Sequence, residues 1–266
     1  MIFLAVAALA DSTAAWKSLQ EARLIEAADG TPEAAAQMYE ELVAELQPTD
    51  PEYGPAWYWL GRTRWGLGEA DAAVAALSNA LQDPAVAAQA AAFLMKIELK
   101  RRAVRTLPAT FTFDDARVAF VRNWEGADRG SLGIRTAASH SVLSWATTVR
   151  AGEADHIAMA LDTGARIKSI AFQVRAQAFP AELRVTVSDG AGARYSAPVI
   201  QVPTGQWMDV SLPAASFRST DGARGGGGSA LQPTDPVRLV EVEDLTGLLS
   251  PDRGVNTIYL DSVEIH

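Results

Sequence analysis

Two hydrophobic periodicities divide the chain. In its first part the apolar residues recur at spacings of three and four, as Val86, Ala90, Phe93 and Ile97 do, which is typical of amphipathic helices. In its second part apolar and polar residues alternate in short runs, which is typical of strands that bury one face. The pattern predicts a two-domain α+β protein, with a helical domain over residues 12–105 and an antiparallel β-sandwich over residues 108–266.

Four strands of the second part can be assigned a core-facing side, because each carries apolar residues at alternating positions. The inward residues are Leu143, Trp145 and Val149; Ile157, Met159 and Leu161; Ile170, Phe172 and Val174; and Leu183, Val185 and Val187. Turns are expected at residues 163–164, 189–192 and 204–205, where glycine follows or accompanies polar residues. The glycine-rich stretch within residues 219–236 is expected to form a flexible excursion.

The segment from residue 55 to residue 84 carries the most specific motif of the first part. Its first helix supplies Trp57, Leu60 and Gly61, and its second helix supplies Ala73, Leu77 and Ala80. Because Gly61 and Ala73 are small, two antiparallel helices can approach closely there. The W-x2-L-G spacing resembles a tetratricopeptide repeat, which implies an α-solenoid that binds protein partners. Arg64 and Pro84 depart from that pattern, and an ordinary alanine-rich hairpin is the alternative.

Residues 12–46 predict a second pair of helices. Ala35, Tyr39 and Leu42 have the same spacing as the small and large apolar residues of the first pair, whereas the W-x2-L-G motif is missing. We interpret this pair as a degenerate repeat. The helix that follows residue 84 is expected to cap the solenoid.

Residues 1–11 form an apolar segment that allows three interpretations. It could be the end of a cleaved secretory signal, an uncleaved docking or anchor segment, or the first buried helix of the solenoid. Ten apolar residues are too few to span a bilayer, which takes roughly 20. Export from the cytoplasm is the expectation that we carry forward, with peripheral association with a membrane complex as its extension.

Composition narrows the functional classes. The chain of 266 residues is 48% apolar and 21% charged, so two domains can each bury a core. Its formal net charge of −9 argues against a general nucleic-acid-binding protein. It contains no cysteine, which excludes disulfides and thiolate chemistry.

Three segments of the second part carry a further resemblance. They are FTFDDA at 111–116, VPTGQWMDVSLPAASF at 202–217 and NTIYLDSVEI at 256–265. They resemble the first strand, the G-x-W strand and the closing strand of the β-jelly-roll modules known as galactose-binding-like or carbohydrate-binding domains. The resemblance implies a jelly roll, with carbohydrate binding as an expected activity.

The same resemblance implies a structural calcium ion near the meeting of the first and last strands. Matched residue by residue, its ligands would be Asp114, Asp115 and Asp261, completed by backbone carbonyls. The alternative is a turn at the first two aspartates and a surface contact at the third, with no cofactor bound.

Sugar-binding modules stack exposed aromatic rings on sugar faces, so the tryptophans of the second part are candidates. Trp124 lies in a polar, loop-like sequence and is the predicted glycan platform. Trp145 shares a face with core residues and is expected to be buried. Trp207 matches a position that is usually structural in the family.

The sequence carries no complete catalytic motif. Asp162-Thr163-Gly164 resembles an aspartic-protease turn, but that chemistry needs two carboxylates and no second Asp-Thr-Gly is present. The three histidines do not recur at metal-ligand spacing. We therefore expect a protein that is not an enzyme.

Two functions follow from these patterns. The leading hypothesis is a scaffold or accessory subunit of a cell-envelope complex, whose helical domain binds a partner protein through Trp57, Tyr58, Trp59 and Trp65, since one hairpin core does not need so many rings. The alternative is an extracytoplasmic carbohydrate-binding protein that uses the jelly roll.

Overall fold

The structure is a computed structural model that describes residues 2–28, 31–114, 119–122, 130–137, 140–220, 228–232, 234–251 and 253–266. Within these ranges the side chains are described except at residues 2–13, 28, 137, 163 and 164. The chain divides into two compact units, residues 1–97 and 98–266. The first is helical and the second is dominated by strands, so the predicted α+β class is confirmed.

Five helices follow one another in the first part of the chain. They are α1 (Ile2–Ala28), α2 (Pro32–Glu45), α3 (Tyr53–Gly66), α4 (Ala70–Ala80) and α5 (Ala87–Arg101). From α1 to α4, each helix packs against the next. The apolar segment at the start of the chain is continuous with α1. In the described part of the chain, no helix is long and apolar enough to cross a membrane.

The packing of α3 on α4 depends on Gly61. A Cβ atom added there would lie 2.5 Å from Leu77 Cγ and 3.2 Å from the carbonyl oxygen of Ala73, which is closer than atoms normally pack. Leu77 and Ala73 are fully buried. The expected close approach at Gly61 and Ala73 is therefore confirmed, whereas a solenoid of tetratricopeptide repeats stays a prediction.

The second part consists of short strands in two antiparallel sheets. The strands are β1 (Ala109–Phe111), β2 (Val121–Arg122), β3 (Gly130–Ala137), β4 (His140–Val149), β5 (Asp155–Ala165), β6 (Ser169–Ala176), β7 (Ala181–Asp189), β8 (Arg194–Ser196), β9 (Ile200–Val202), β10 (Met208–Pro213), β11 (Arg218–Ser219), β12 (Val237–Asp244) and β13 (Gly254–Ile265). A short helix, α6 (Thr246–Leu249), joins the last two strands.

The first sheet has the order β10-β6-β13-β4-β3, with β1 added beside the end of β13. The second has the order β11-β8-β7-β12-β5-β2, with β9 paired to β7. One continuous core cluster contains buried side chains from both sheets, which makes the unit a β-sandwich. All twelve inward residues predicted from the alternation are buried.

The turn predicted at residues 163–164 is wrong. Strand β5 continues through both residues to Ala165. The register between β5 and β12 shifts there, from Ala160 opposite Leu239 to Ala165 opposite Val237. An irregularity in the pairing takes up the additional residues without ending the strand, which is why a local Thr-Gly signal was misleading.

The expected flexible excursion within residues 219–236 falls partly outside the described residues, which exclude 221–227 and 233. Of its described residues, Leu231 is buried and its amide donates to the carbonyl oxygen of Phe217. The end of the excursion is therefore fixed to the sandwich.

Candidate functional site

The outward side of the first sheet carries an unusual set of polar and aromatic side chains. Strand alternation directs Ile170, Phe172 and Val174 of β6 into the core, so Gln173 and Arg175 face outwards. The same rule applies to β10, β13, β4 and β3. We call this surface the outer face of the first sheet.

Three side chains form a row on this face. Arg175 of β6 is directly opposite Tyr259 of β13, and its guanidinium carbon lies 4.8 Å from the centre of the tyrosine ring. The same carbon lies 5.1 Å from the ring centre of Trp207, the residue that precedes β10. Trp207 is 38% exposed, whereas Tyr259 is buried. The row therefore presents an indole to solvent and supports it with a guanidinium group held by a second ring.

Hydrogen bonds hold the tyrosine end of the row. The Tyr259 hydroxyl donates to Gln177 Oε1 at 2.6 Å and accepts from Arg135 Nη1 of β3 at 3.3 Å. Arg135 and Gln177 are themselves exposed. Because the buried hydroxyl both donates and accepts a hydrogen bond, a change in the χ1 rotamer of Tyr259 would break both bonds, and the side chain is held in one orientation.

On the strands beyond Tyr259 this row of the outer face carries only small side chains, which project little above the sheet. Tyr259 is followed across the sheet by Ser144 of β4 and Gly133 of β3. The adjacent row contains Thr257, Ala146 and Ser131. A Cβ atom placed on Gly133 would meet nothing within 4 Å. With strands about 4.8 Å apart, the five strands from β10 to β3 span roughly 19 Å, which suits an elongated ligand.

Two aspartates lie in the neighbouring row, and both have partners. Gln173 Nε2 donates to Asp209 Oδ1 at 2.9 Å. Asp261 accepts from the amide of Ser262 at 2.7 Å, and its other oxygen lies 3.2 Å from Nε2 of His140. The outer face thus combines donors, acceptors and rings, which is the mixture that specific small-molecule sites use.

The predicted calcium ligands are placed as follows. Asp114 Oδ1 accepts from the backbone amide of Ser141 at 2.7 Å, and Asp261 contacts His140, the preceding residue of the chain. The structure thus brings these two aspartates to the start of β4. Asp115 lies outside the described residues. Among the residues that are described, no group of three or more acidic or histidine side chains is arranged to hold a metal ion, and a calcium site stays a prediction.

The tryptophans of the sandwich differ from one another. Trp124, the predicted glycan platform, lies outside the described residues. Trp145 is fully buried as expected, and its indole Nε1 donates to Asp155 Oδ2 at 3.2 Å. Trp207 was expected to be structural and is exposed instead. The alternation in β10 already contained the signal, because Val210 and Leu212 point inwards and therefore place Trp207 and Asp209 outwards.

The four aromatic residues predicted to bind a partner are all half-buried in the helical unit. Trp57 packs against both of its hydrophobic clusters, Trp59 against one, and Tyr58 and Trp65 against the other. The guanidinium carbons of Arg23 and Arg62 lie 4.5 and 4.7 Å from the Trp59 ring centre. These contacts account for part of the aromatic surface, and partner binding by the four residues stays a prediction.

A second polar cluster lies at one end of the second sheet and is held internally. Asp244 is buried opposite Asp155, and it accepts hydrogen bonds from the amide of Thr246 at 3.0 Å and from its hydroxyl at 2.5 Å. Burial raises the pKa of Asp244 above its ordinary value. Asp155 pairs with Arg122 at 2.9 Å. These bonds fix the start of α6, so we assign this cluster a structural role.

Comparison with family models finds no match, and comparison with curated proteins finds none. Among solved structures, the family 11 carbohydrate-binding module of a cellulosomal cellulase of Clostridium thermocellum is similar, with 13% identity and a TM-score of 0.43, over 60% of this chain and 95% of the module. An exo-beta-agarase has 12% identity and a TM-score of 0.44, over 59% of this chain and 25% of that protein. At this level of similarity, no ligand or site is transferred to this chain.

Proposed function

We propose that this protein is a non-catalytic carbohydrate-binding protein and that the outer face of the first sheet is its binding surface. The observation that carries the proposal is the exposed Trp207 ring, which is supported by Arg175 and Tyr259 in one row. A sugar ring has an apolar face that packs on an indole, while its hydroxyls need donors and acceptors at the edge. Arg135, Arg175 and Gln177 supply such groups.

The absence of a catalytic role is part of the proposal. The row of Trp207, Arg175 and Tyr259 contains two aromatic side chains and one guanidinium group, and none of these three side chains is a carboxylate. Hydrolysis of a glycosidic bond normally requires two carboxyl groups that flank the bond. The nearest aspartates, Asp209 and Asp261, are already hydrogen-bonded to neighbours.

The proposal also includes the expectations on the fold of the sandwich, its location, its cofactor and the helical unit. The sandwich would be a jelly roll located outside the cytoplasm, with a structural calcium ion as an alternative to no cofactor. The helical unit would be a tetratricopeptide-like domain that holds a protein partner. Trp16 and Leu24 of α1 favour this second role, because they are 54% and 66% exposed and large apolar side chains gain free energy on contact with a partner.

A glycan array with the full chain tests the proposal. The unaltered protein should be retained on at least one class of polysaccharide, and Trp207→Ala should lose that retention. Trp16→Ala is the matched control, because it removes another exposed indole, which is 54% exposed and lies in the helical unit. Absence of retention on every glycan, or equal retention of all three proteins, would remove the outer face of the first sheet as a carbohydrate site.

A further inference from the structure

We infer that the ligand of the outer face is an acidic glycan, recognised through the carboxylates of uronic-acid units. This inference rests on the proposed function and names its substrate class. The observation behind it is a difference between arginines on the two sheets of the sandwich, in whether an acidic side chain of the protein lies beside them.

On the second sheet two outward arginines, Arg184 and Arg194, have acidic partners within the protein. Arg184 Nε lies 2.7 Å from Glu243, and Arg194 Nη2 lies 3.0 Å from Glu241 and 3.2 Å from Glu243. Strands β7, β8 and β12 therefore contribute a network in which the charges of Arg184 and Arg194 are neutralised locally.

On the first sheet the arginines lack such partners. Arg175 contacts the rings of Trp207 and Tyr259, and Arg135 donates to the tyrosine hydroxyl. In the part of the chain that the structure describes, no carboxylate is within salt-bridge distance of either guanidinium group. Two cationic groups thus contact the same tyrosine and have no acidic partner among the described residues, although the formal net charge of the protein is −9.

Arg175 shows a second sign of an incomplete site. Its Nε atom is buried and has no hydrogen-bond partner among the described residues. A buried arginine donor without a hydrogen-bond partner is costly, and an anion that reaches the guanidinium group of Arg175 would offset that cost. Since the group is planar, it binds a carboxylate with two parallel hydrogen bonds, which an ordinary sugar hydroxyl cannot provide.

The aspartates of the neighbouring row do not pair with Arg175 or Arg135. Asp209 of β10 accepts a hydrogen bond from Gln173 of β6, and Asp261 contacts His140 and accepts from the amide of Ser262. Their charges oppose an anionic ligand, so they should limit its affinity and favour carboxylate binding at the guanidinium groups of Arg175 and Arg135, both of which contact Tyr259.

The experiment compares two forms of one polysaccharide. Binding of the full chain to polygalacturonate and to the same polymer fully methyl-esterified is measured by titration calorimetry at low salt. The acidic form should bind at least tenfold more tightly, and its affinity should fall as sodium chloride is added. A sulfated glycan is the third arm, because it offers an anion without the planar carboxylate and should bind more weakly.

Variants then locate the interaction. Arg175→Gln and Arg135→Gln should each weaken polygalacturonate binding by roughly 10- to 100-fold, the range for a lost charged hydrogen bond. Arg194→Gln on the second sheet is the control, because it makes the same change in net charge and should leave the affinity unchanged. Asp209→Asn should strengthen binding by a few-fold.

The outcomes separate this inference from the proposed function. Equal binding of acidic and esterified polymers, with loss in Trp207→Ala, would overturn the acidic specificity and leave a glycan-binding face. Tighter binding of the sulfated arm would also overturn it, as would equal weakening by Arg194→Gln. If no polysaccharide binds, both the inference and the proposed function fail.

Discussion

Arg175 and Tyr259 are directly opposed on adjacent strands, and the arginine guanidinium carbon lies 4.8 Å from the centre of the tyrosine ring. This pair holds Trp207 on one side, and its tyrosine hydroxyl holds Arg135 and Gln177 on the other. The proposed binding surface is therefore organised without a ligand, which would lower the entropic cost of binding.

Removal of the Tyr259 hydroxyl tests that organisation. Tyr259→Phe keeps the ring beneath Arg175 but loses the bonds to Gln177 and Arg135, so glycan affinity should fall about 5- to 10-fold. The free energy of unfolding should change by only about 1 kcal/mol. Calorimetric titration and urea denaturation of the same preparations measure both. Undiminished affinity would mean that the hydroxyl does not orient the binding groups.

The close contact of α3 with α4 predicts unequal effects of two glycine substitutions in one helix. Gly61→Ala should destabilise the helical unit by about 1 to 3 kcal/mol, because the new methyl group would overlap Leu77. Gly66→Ala is the control, since its Cβ would meet nothing within 4 Å and alanine favours a helix by about 0.5 to 1 kcal/mol. Urea denaturation checks both, and equal effects would contradict the described packing.

Leu77 and Arg64 give a second stability test. Leu77→Ala should cost about 2 to 5 kcal/mol, because a fully buried side chain loses transfer energy and leaves a cavity. Arg64 pairs with Glu40 and Glu69, which are exposed, so Arg64→Ala should cost no more than about 1 kcal/mol. Equal shifts in Tm for the two variants would show that the helix register is wrong.

Asp244 predicts a dependence of stability on pH. Since burial raises its pKa in the folded protein, the folded chain keeps this proton to higher pH than the unfolded chain does. Its contribution to the free energy of unfolding should therefore decrease as the pH rises above about 4, the ordinary pKa of an aspartate. Asp244→Asn retains an oxygen for the Thr246 bonds but cannot ionise.

The comparison is made by urea denaturation of both proteins at several pH values. Asp244→Asn should gain stability relative to the unaltered protein as the pH increases from about 4, since only the latter then buries a charge. A difference that stays constant over this range would contradict a raised pKa.

The β-sandwich could be predicted from the sequence because its inward positions alternate without interruption. Ile157, Met159 and Leu161, for example, are all buried in the same core. The pairing of strands could not be predicted in this way, since β13 lies between β6 and β4 through contacts far apart in the chain. The irregular pairing of β5 was missed for the same reason, because it depends on the register of β5 with β12.

The candidate site was only partly accessible to sequence reasoning. The sequence pattern favoured Trp124, because an aromatic residue among polar neighbours is expected to be exposed. Trp207 was assigned a structural role from a family resemblance, although the alternation of its own strand already placed it outwards. Its support by Arg175 could not be foreseen, because that contact requires β10 and β6 to be neighbours.

Mass-spectrometric footprinting of tryptophan oxidation tests the central claim most directly, because it reports each indole separately in the full chain. With saturating polygalacturonate, Trp207 should become protected, Trp16 should react as before, and the buried Trp145 should stay unreactive in both samples. Protection of Trp207 alone among these three is the result that the proposed binding face predicts. Unchanged reactivity of Trp207 in a sample that demonstrably binds the polymer would contradict it.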